Sequence, residues 1–145
     1  MDSVNSRSIA LFSIHSGFAN ALLDRTKCVE FRKTRLPSSL QTIVIYATAP
    51  VGAIIGYVTV AKIVESTPQL IWKKYGSIGG IRKTDYFDYF LGSDRAIAIE
   101  VLSAYRFPVS QPLSAIEVNR APQSFQYLDQ VQLNTLTGFQ RTLAA

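Results

Sequence analysis

Residues 36 to 61 carry no charged side chain, and the segment "IVIYATAPVGAIIGYVTVA" inside them is apolar enough to resemble a membrane span in a hydropathy window. A single helix does not fit it. Pro50 and Gly52 fall in the middle, and the flanks are rich in β-branched Val and Ile. Such side chains lose rotamer freedom in a helix but pack well on a pleated surface. The segment therefore reads as two buried strands, 42–48 and about 53–64, joined by a turn, and the membrane reading is set aside. "TIVIYAT" is apolar without alternation, which predicts a strand covered on both faces. Gly56, inside the second strand, suits a bulge or sharp bend of the kind a small barrel needs.

The remaining elements are placed around this pair. "SRSIALFSI" (6–14) reads as a short strand. Ser16 is a candidate cap for "GFANALLDR", where Phe18, Ala21 and Leu22 share one helical face. "KCVEFRK" (27–33) alternates, so Val29 and Phe31 point one way while Cys28, Glu30 and Arg32 point the other. "STPQLIWKKYG" (66–76) and "TDYFDYFLG" (84–92) read as short helices, the second capped by Thr84 or Asp85 and stopped by Gly92. "RAIAIEVLSAYRF" (95–107) is a strand, "PVSQPLSAI" turns the chain, and "APQSFQYLDQVQLNTL" ends as a helix that frays after 137. Five strands without regular alternation of long helices argue against a doubly wound sheet. The expected class is α+β, mainly β: a small barrel of five to six strands with short helices covering its ends and one side.

Chain chemistry excludes several functions. One cysteine, Cys28, leaves no internal disulfide and favours a reducing compartment. With one histidine as well, no zinc site of the usual kind can form, and no cofactor is expected. The opening "MDSVNSRSIALFSIHSG" does not read as a signal peptide, so a cytoplasmic location is expected. Net charge is +5. Nine of the fifteen Lys and Arg residues fall in two windows: Arg25, Lys27, Arg32, Lys33 and Arg35 around the single acid Glu30, and Lys73, Lys74, Arg82 and Lys83 with none. Brought together in space, these windows would make a patch for a polyanion; apart, they are solvated faces.

The order of motifs resembles the ASCH family, a branch of the PUA-like barrels. "LLDRTKCVEFR" is similar to that family's helix followed by Gly-x-Lys-x-x-Glu-x-Arg. "IVIYATAPVGAIIGYVTV" resembles its strand pair, "TPQLIWKKYG" and "TDYFDYFLGSDRAIAIEV" its paired helices and next strand, and "RAPQSFQYL" its closing motif. The resemblance spans residues 8–128 of one expected domain, 1–145, with a tail at 129–145. It implies a PUA-like barrel with a basic cleft beside the first helix, and RNA or another single-stranded nucleic acid as partner. Some members are amidohydrolases acting on acetylcytidine, and nuclease activity has been proposed for others. The chain departs from the pattern in two places. Asp24, Arg25 and Thr26 stand where the glycine is usual. In the amidohydrolase motif Lys-Thr-x-Thr-x-Arg, the second threonine, the nucleophile, is Glu30 here, and a carboxylate cannot replace a hydroxyl without changing the chemistry.

The candidate residues follow. Lys27 is a compact cation able to grip a phosphate or base carbonyl. Glu30 and Arg32 share a strand face, where they can pair and orient Arg32 toward a ligand, or Glu30 can accept from a base amine. If the protein is an enzyme, Lys27 and Glu30 take the acid–base roles, and RNA cleavage is favoured over acetylcytidine deacetylation; a regulatory protein that interacts through the barrel surface is the remaining alternative. Lys27 and Arg32 are expected to be exposed charges, contributing about 1 kcal/mol or less to folding. Lys73 and Lys74, with Tyr75 beside them, could meet phosphates and stack on a base; Trp72, Tyr86, Phe87, Tyr89 and Phe90 read as barrel plugs. Tyr46 and Thr48 end a strand where barrels place ligand contacts. Gln123 and Ser124 could reach a base edge, or Ser124 could cap a helix. His15 reads as a capping residue, and Cys28 as a small, half-buried one.

Overall fold

The computed structural model describes residues 7–144, with side chains described through residue 139. Residues 1–6, which include the start of the expected first strand, and residue 145 lie outside the described residues. In chain order the elements are β1 (Ile9–Ile14), α1 (Ser16–Asp24), β2 (Val29–Arg32), β3 (Thr42–Ala47), β4 (Ala53–Ser66), α2 (Pro68–Tyr75), α3 (Lys83–Tyr89), β5 (Ala96–Gln111), β6 (Phe125–Tyr127) and α4 (Gln130–Ala144). The strands form one sheet in the order β2-β5-β4-β3-β1-β6. β1 and β3 run parallel, and the other neighbours run antiparallel.

β4 and β5, 14 and 16 residues long, carry the curvature. Their register shifts at Ile54/Gly56, Thr59/Val60 and Val60/Lys62, and each shift adds twist. The sheet curls into a half-barrel, which bears out the expected small PUA-like barrel with short helices. Gly56 lies at one shift because nothing larger fits. A Cβ there would stand 2.3 Å from the Tyr105 carbonyl oxygen. Pro108 lies in the β5 bulge opposite the same shift, where no ladder hydrogen bond is required of it.

Three apolar clusters hold the sheet. Ala19, Leu22 and Leu23 of α1 pack on Phe12, Ile43, Ile45 and Ile99. On the opposite face Leu11, Val44, Ile54 and Phe107 meet Ile116, Leu128 and, from α4, Leu136. β3 is therefore covered on both faces, as its unbroken apolar run predicts. Val29 and Phe31 of β2, with Ala96 and Ala98, pack under Ile71 and Tyr75 of α2, Tyr86 of α3 and Phe90 just after it.

The local expectations fail where pairing overrides helix periodicity. Residues 125–127 form β6 on the edge of β1, and Phe125 packs on Phe12 with centroids 5.2 Å apart. The following helix α4 is no loose tail, since Leu136 is buried in the second cluster. β5 extends past the expected turn at 108, followed by a short 3₁₀ turn at Leu113–Ile116. α1 is capped by His15, as its reading as a capping residue predicts, and not by Ser16; the His15 ring accepts from the Gly17 N–H at 3.3 Å. α3 starts at Lys83 without a side-chain cap.

Candidate functional site

At the end of α1 the chain reverses through Arg25, which takes the left-handed conformation at φ 67°. This is the position where a glycine is usual, and Arg25 accepts it while Thr26 and Lys27 both donate to the Ala21 carbonyl. The reversal drops Lys27 beneath α1 at the entry to β2. The strand alternation then divides the next residues as predicted. Val29 and Phe31 enter the third cluster, while Glu30 and Arg32 face the space under α1, which the Phe31 ring also borders and Cys28 does not.

That space is a cavity of about 670 Å³, lined by Ser13, His15 and Phe18 at one side and by Tyr86, Tyr89 and Gly80 at the other, with Lys27, Glu30 and Arg32 as its floor. The three floor residues converge. Arg32 Nε donates to Glu30 Oε2 at 2.9 Å, and Lys27 Nζ stands 4.0 Å from Glu30 Oε1. Lys27 also donates to the Gly79 carbonyl at 2.5 Å and lies 5.0 Å from the centroids of the Phe18 and Phe31 rings. Burial pushes its pKa below the usual 10.5, an effect partly countered by Glu30 and reinforced by Arg32. Arg32 has a further task. β2 and β6 are the two free edges of the curled sheet, and Arg32 reaches across the seam between them. Its Nη1 donates to Ser124 Oγ at 3.1 Å and its Nη2 to the Ser13 carbonyl at 3.0 Å, with the guanidinium 4.6 Å from the Phe12 centroid.

The expectation that Lys27 and Arg32 are exposed surface charges is wrong. The Lys27 side chain is 2% exposed and that of Arg32 12%. The loop after α2 folds over Lys27, and the seam encloses Arg32. The geometry also requires a glycine at 80. Its φ is +62°, and a Cβ there would lie 2.7 Å from Lys27 Cβ.

The other candidates divide. Ser124 joins the site through Arg32 and caps no helix. Gln123 is exposed and does not line the cavity. Tyr46 packs with the second cluster, on the other face of the sheet, and Thr48 ties β3 to β1 through its N–H to the Ile14 carbonyl at 2.9 Å. Lys73 and Lys74 are exposed on α2 and also stand outside the lining. Tyr75 is 3% exposed, and its hydroxyl donates to Glu100 Oε2 at 2.5 Å, so it has no free face for a base. Burial raises the Tyr75 phenol pKa, with the Glu100 hydrogen bond adding to it.

The lining sets Lys27 and Arg32 against Glu30 and Asp85, so its charge is balanced rather than basic. The two basic windows of the sequence do not merge there. Sequence reasoning overlooked His15, Phe18 and Gly80 as lining, and treated Tyr89 as a plug. Tyr89 is 41% exposed at the cavity wall, with the Lys33 ammonium 4.6 Å from its ring centroid. The adjacent glycines at 79 and 80 were the one signal available for the loop that holds Lys27. Among the described residues no group of three or more His, Cys, Asp or Glu could hold a metal ion, and no helix is long and apolar enough to cross a membrane.

No family model matches the chain. It is 35% identical over 99 residues to a protein of Zymomonas mobilis named ASCH domain-containing ribonuclease, a match covering 68% of this chain and 67% of that one. The crystal structure of the ASCH protein from Zymomonas mobilis superposes with a TM-score of 0.83 at 31% identity, over 91% of this chain and 95% of that chain. A variant of the same protein, with one serine replaced by alanine, gives 0.84 at 27% identity over 92% and 97%.

Proposed function

The chain belongs to the ASCH family, and on that premise we propose that it binds single-stranded RNA, one unstacked base of which enters the cavity between α1, β2 and α3. The observation that carries this reading is the floor of the cavity. Three charged side chains, each at most 12% exposed, are held in fixed orientation beneath aromatic walls. Single-stranded RNA is read in this way, by bases splayed out, stacked on aromatic rings and hydrogen-bonded on their edges. Tyr89 and Phe18 supply stacking surface on the faces that Lys33 and Lys27 leave uncovered, and Lys27, Glu30 and Arg32 supply the polar partners. The exposed cations outside the cavity, Lys73 and Lys74 among them, contribute the general attraction of a chain with net charge +5 for phosphate. The half-buried lone thiol of Cys28 is in keeping with a reducing, cytoplasmic setting.

RNA cleavage is a second reading, favoured by the similarity to a protein named as a ribonuclease. The RNA 2′-hydroxyl would attack the adjacent phosphorus as the 5′-oxygen leaves, with Glu30 taking the proton and Lys27 stabilising the charge that develops. Acetylcytidine deacetylation is disfavoured, since β2 offers the Glu30 carboxylate where a hydroxyl nucleophile would stand.

Fluorescence anisotropy with a labelled single-stranded RNA of mixed sequence tests the binding reading. Binding at low salt that weakens steeply as salt rises is expected. Folded protein that shows no binding at low salt refutes it. Strand scission lost in Glu30→Gln would promote the second reading.

A further inference from the structure

The floor of the cavity has an order. Glu30 stands between two cations, with Oε1 facing Lys27 at 4.0 Å and Oε2 accepting from Arg32 at 2.9 Å. Lys27 offers donors only, and Gly79 takes one of its three N–H groups. Arg32 offers five N–H groups, of which Glu30, Ser124 and Ser13 take three, leaving two. Glu30, ion-paired on both sides, offers acceptors only. Across the floor the sequence of groups is therefore donor, acceptor, donor.

We propose that this floor reads the imide edge of uracil, so that the cavity selects uridine among the nucleotides of a single-stranded RNA. The inference rests on the binding reading above. Uracil presents O4, N3–H and O2 along its Watson–Crick edge, which is acceptor, donor, acceptor. Lys27 and Arg32 take the two carbonyl oxygens, and Glu30 accepts from N3–H between them. The other bases meet repulsion. Cytosine brings its amino group to a cation and its bare N3 to the carboxylate. Adenine repeats the mismatch with its amino group and N1. Guanine fits the first two positions and then sets its 2-amino group against a donor. Rejection through such unpaired or like-paired groups is a stronger selector than added contacts. Because Arg32 is locked across the seam and Lys27 under the glycine loop, neither side chain can swing away to accommodate the wrong edge.

The test is fluorescence anisotropy with four end-labelled oligomers of equal length: oligouridylate, oligocytidylate, oligoadenylate and oligo-3-methyluridylate. All carry 2′-O-methyl riboses, so that the 2′-hydroxyl cannot cleave the strand. Oligouridylate should bind at least about tenfold tighter than each of the others. The methylated oligomer matters most, because it removes the N3–H donor without touching the protein. Glu30→Gln, whose amide offers a donor beside its acceptor, should reduce the preference to less than about threefold. Equal binding of all four oligomers, or a preference for cytidine or adenosine, overturns the inference and leaves the RNA reading standing. Absence of binding to all four by folded protein at low salt overturns both.

Discussion

Replacing Lys27 by methionine separates the two roles a buried lysine can have. The side chain is 2% exposed, so its ammonium is held out of water at a cost of several kcal/mol, only partly returned by Glu30 at 4.0 Å. Methionine is similar in size and removes that cost. It also leaves the Gly79 carbonyl without its donor, a loss of about 1–3 kcal/mol. Glu30 keeps Arg32 at 2.9 Å and is not orphaned. The opposing effects nearly cancel, and we expect Lys27→Met to stay within about 1 kcal/mol of the wild type, or roughly 4 °C in Tm. Lys27→Ala lacks the compensating volume and should lose about 2–5 kcal/mol. Both variants should lose RNA binding. The pH dependence gives an internal check. Burial places the folded pKa of Lys27 below the 10.5 of the unfolded chain. Between the folded value and 10.5 the unfolded state holds the extra proton, so this group makes stability rise with pH across that window. The wild type should therefore gain on Lys27→Met as pH is raised from 7 toward 10.5, read as Tm by circular dichroism. If Lys27→Met is as unstable as Lys27→Ala, or if the difference from wild type is flat with pH, the ammonium supports the fold and the burial argument is wrong.

Two further outcomes follow from the same geometry. Gly80→Ala puts a Cβ 2.7 Å from Lys27 at a φ of +62°, so it should cost about 1–3 kcal/mol and weaken RNA binding by displacing Lys27, as measured by denaturant unfolding and anisotropy together. Tyr75→Phe removes the hydroxyl that donates to Glu100 and should cost about 1.5–3 kcal/mol in stability while leaving RNA affinity unchanged, since Tyr75 lies outside the cavity.

Much of this fold is legible in the chain because local chemistry and global packing agree. The proline, glycine and β-branched residues of the uncharged run at 36–61 pointed to two strands within it, and Gly56 marked a bend in the second. The alternation in β2 sent Phe31 into the third cluster and Glu30 and Arg32 to the cavity, although the Phe31 ring also reaches the cavity lining. What the chain conceals is whatever depends on closure of the sheet. Nothing near Arg32 in sequence announces that it spans the seam to Ser13 and Ser124, 19 and 92 positions away. Nothing near Lys27 announces the carbonyl of Gly79, 52 positions on. Both residues therefore look like surface charges until the loops cover them. The basic windows misled for the converse reason. Lys73 and Lys74 are close to Tyr75 in sequence, yet α2 turns Tyr75 into the third cluster and leaves the lysines facing solvent away from the cavity. β6 was missed because a three-residue edge strand carries too little periodicity to compete with the helical pattern that follows it.

The central claim, that a base enters the cavity above Lys27, Glu30 and Arg32, is met most directly by photo-crosslinking. A single-stranded RNA carrying one 4-thiouridine is bound to the wild-type protein, irradiated, digested, and the adducts mapped by mass spectrometry. The floor places the thiocarbonyl at Lys27 or Arg32, and the Phe18 and Phe31 rings each lie 5.0 Å from Lys27 Nζ, so adducts should concentrate on the α1 and β2 peptides that contain Phe18 and residues 27–32. Adducts confined to α2, around Lys73 and Lys74, or to the exposed face of β5 at Leu102 and Tyr105, would show that RNA lies on the surface and that the cavity is not its site.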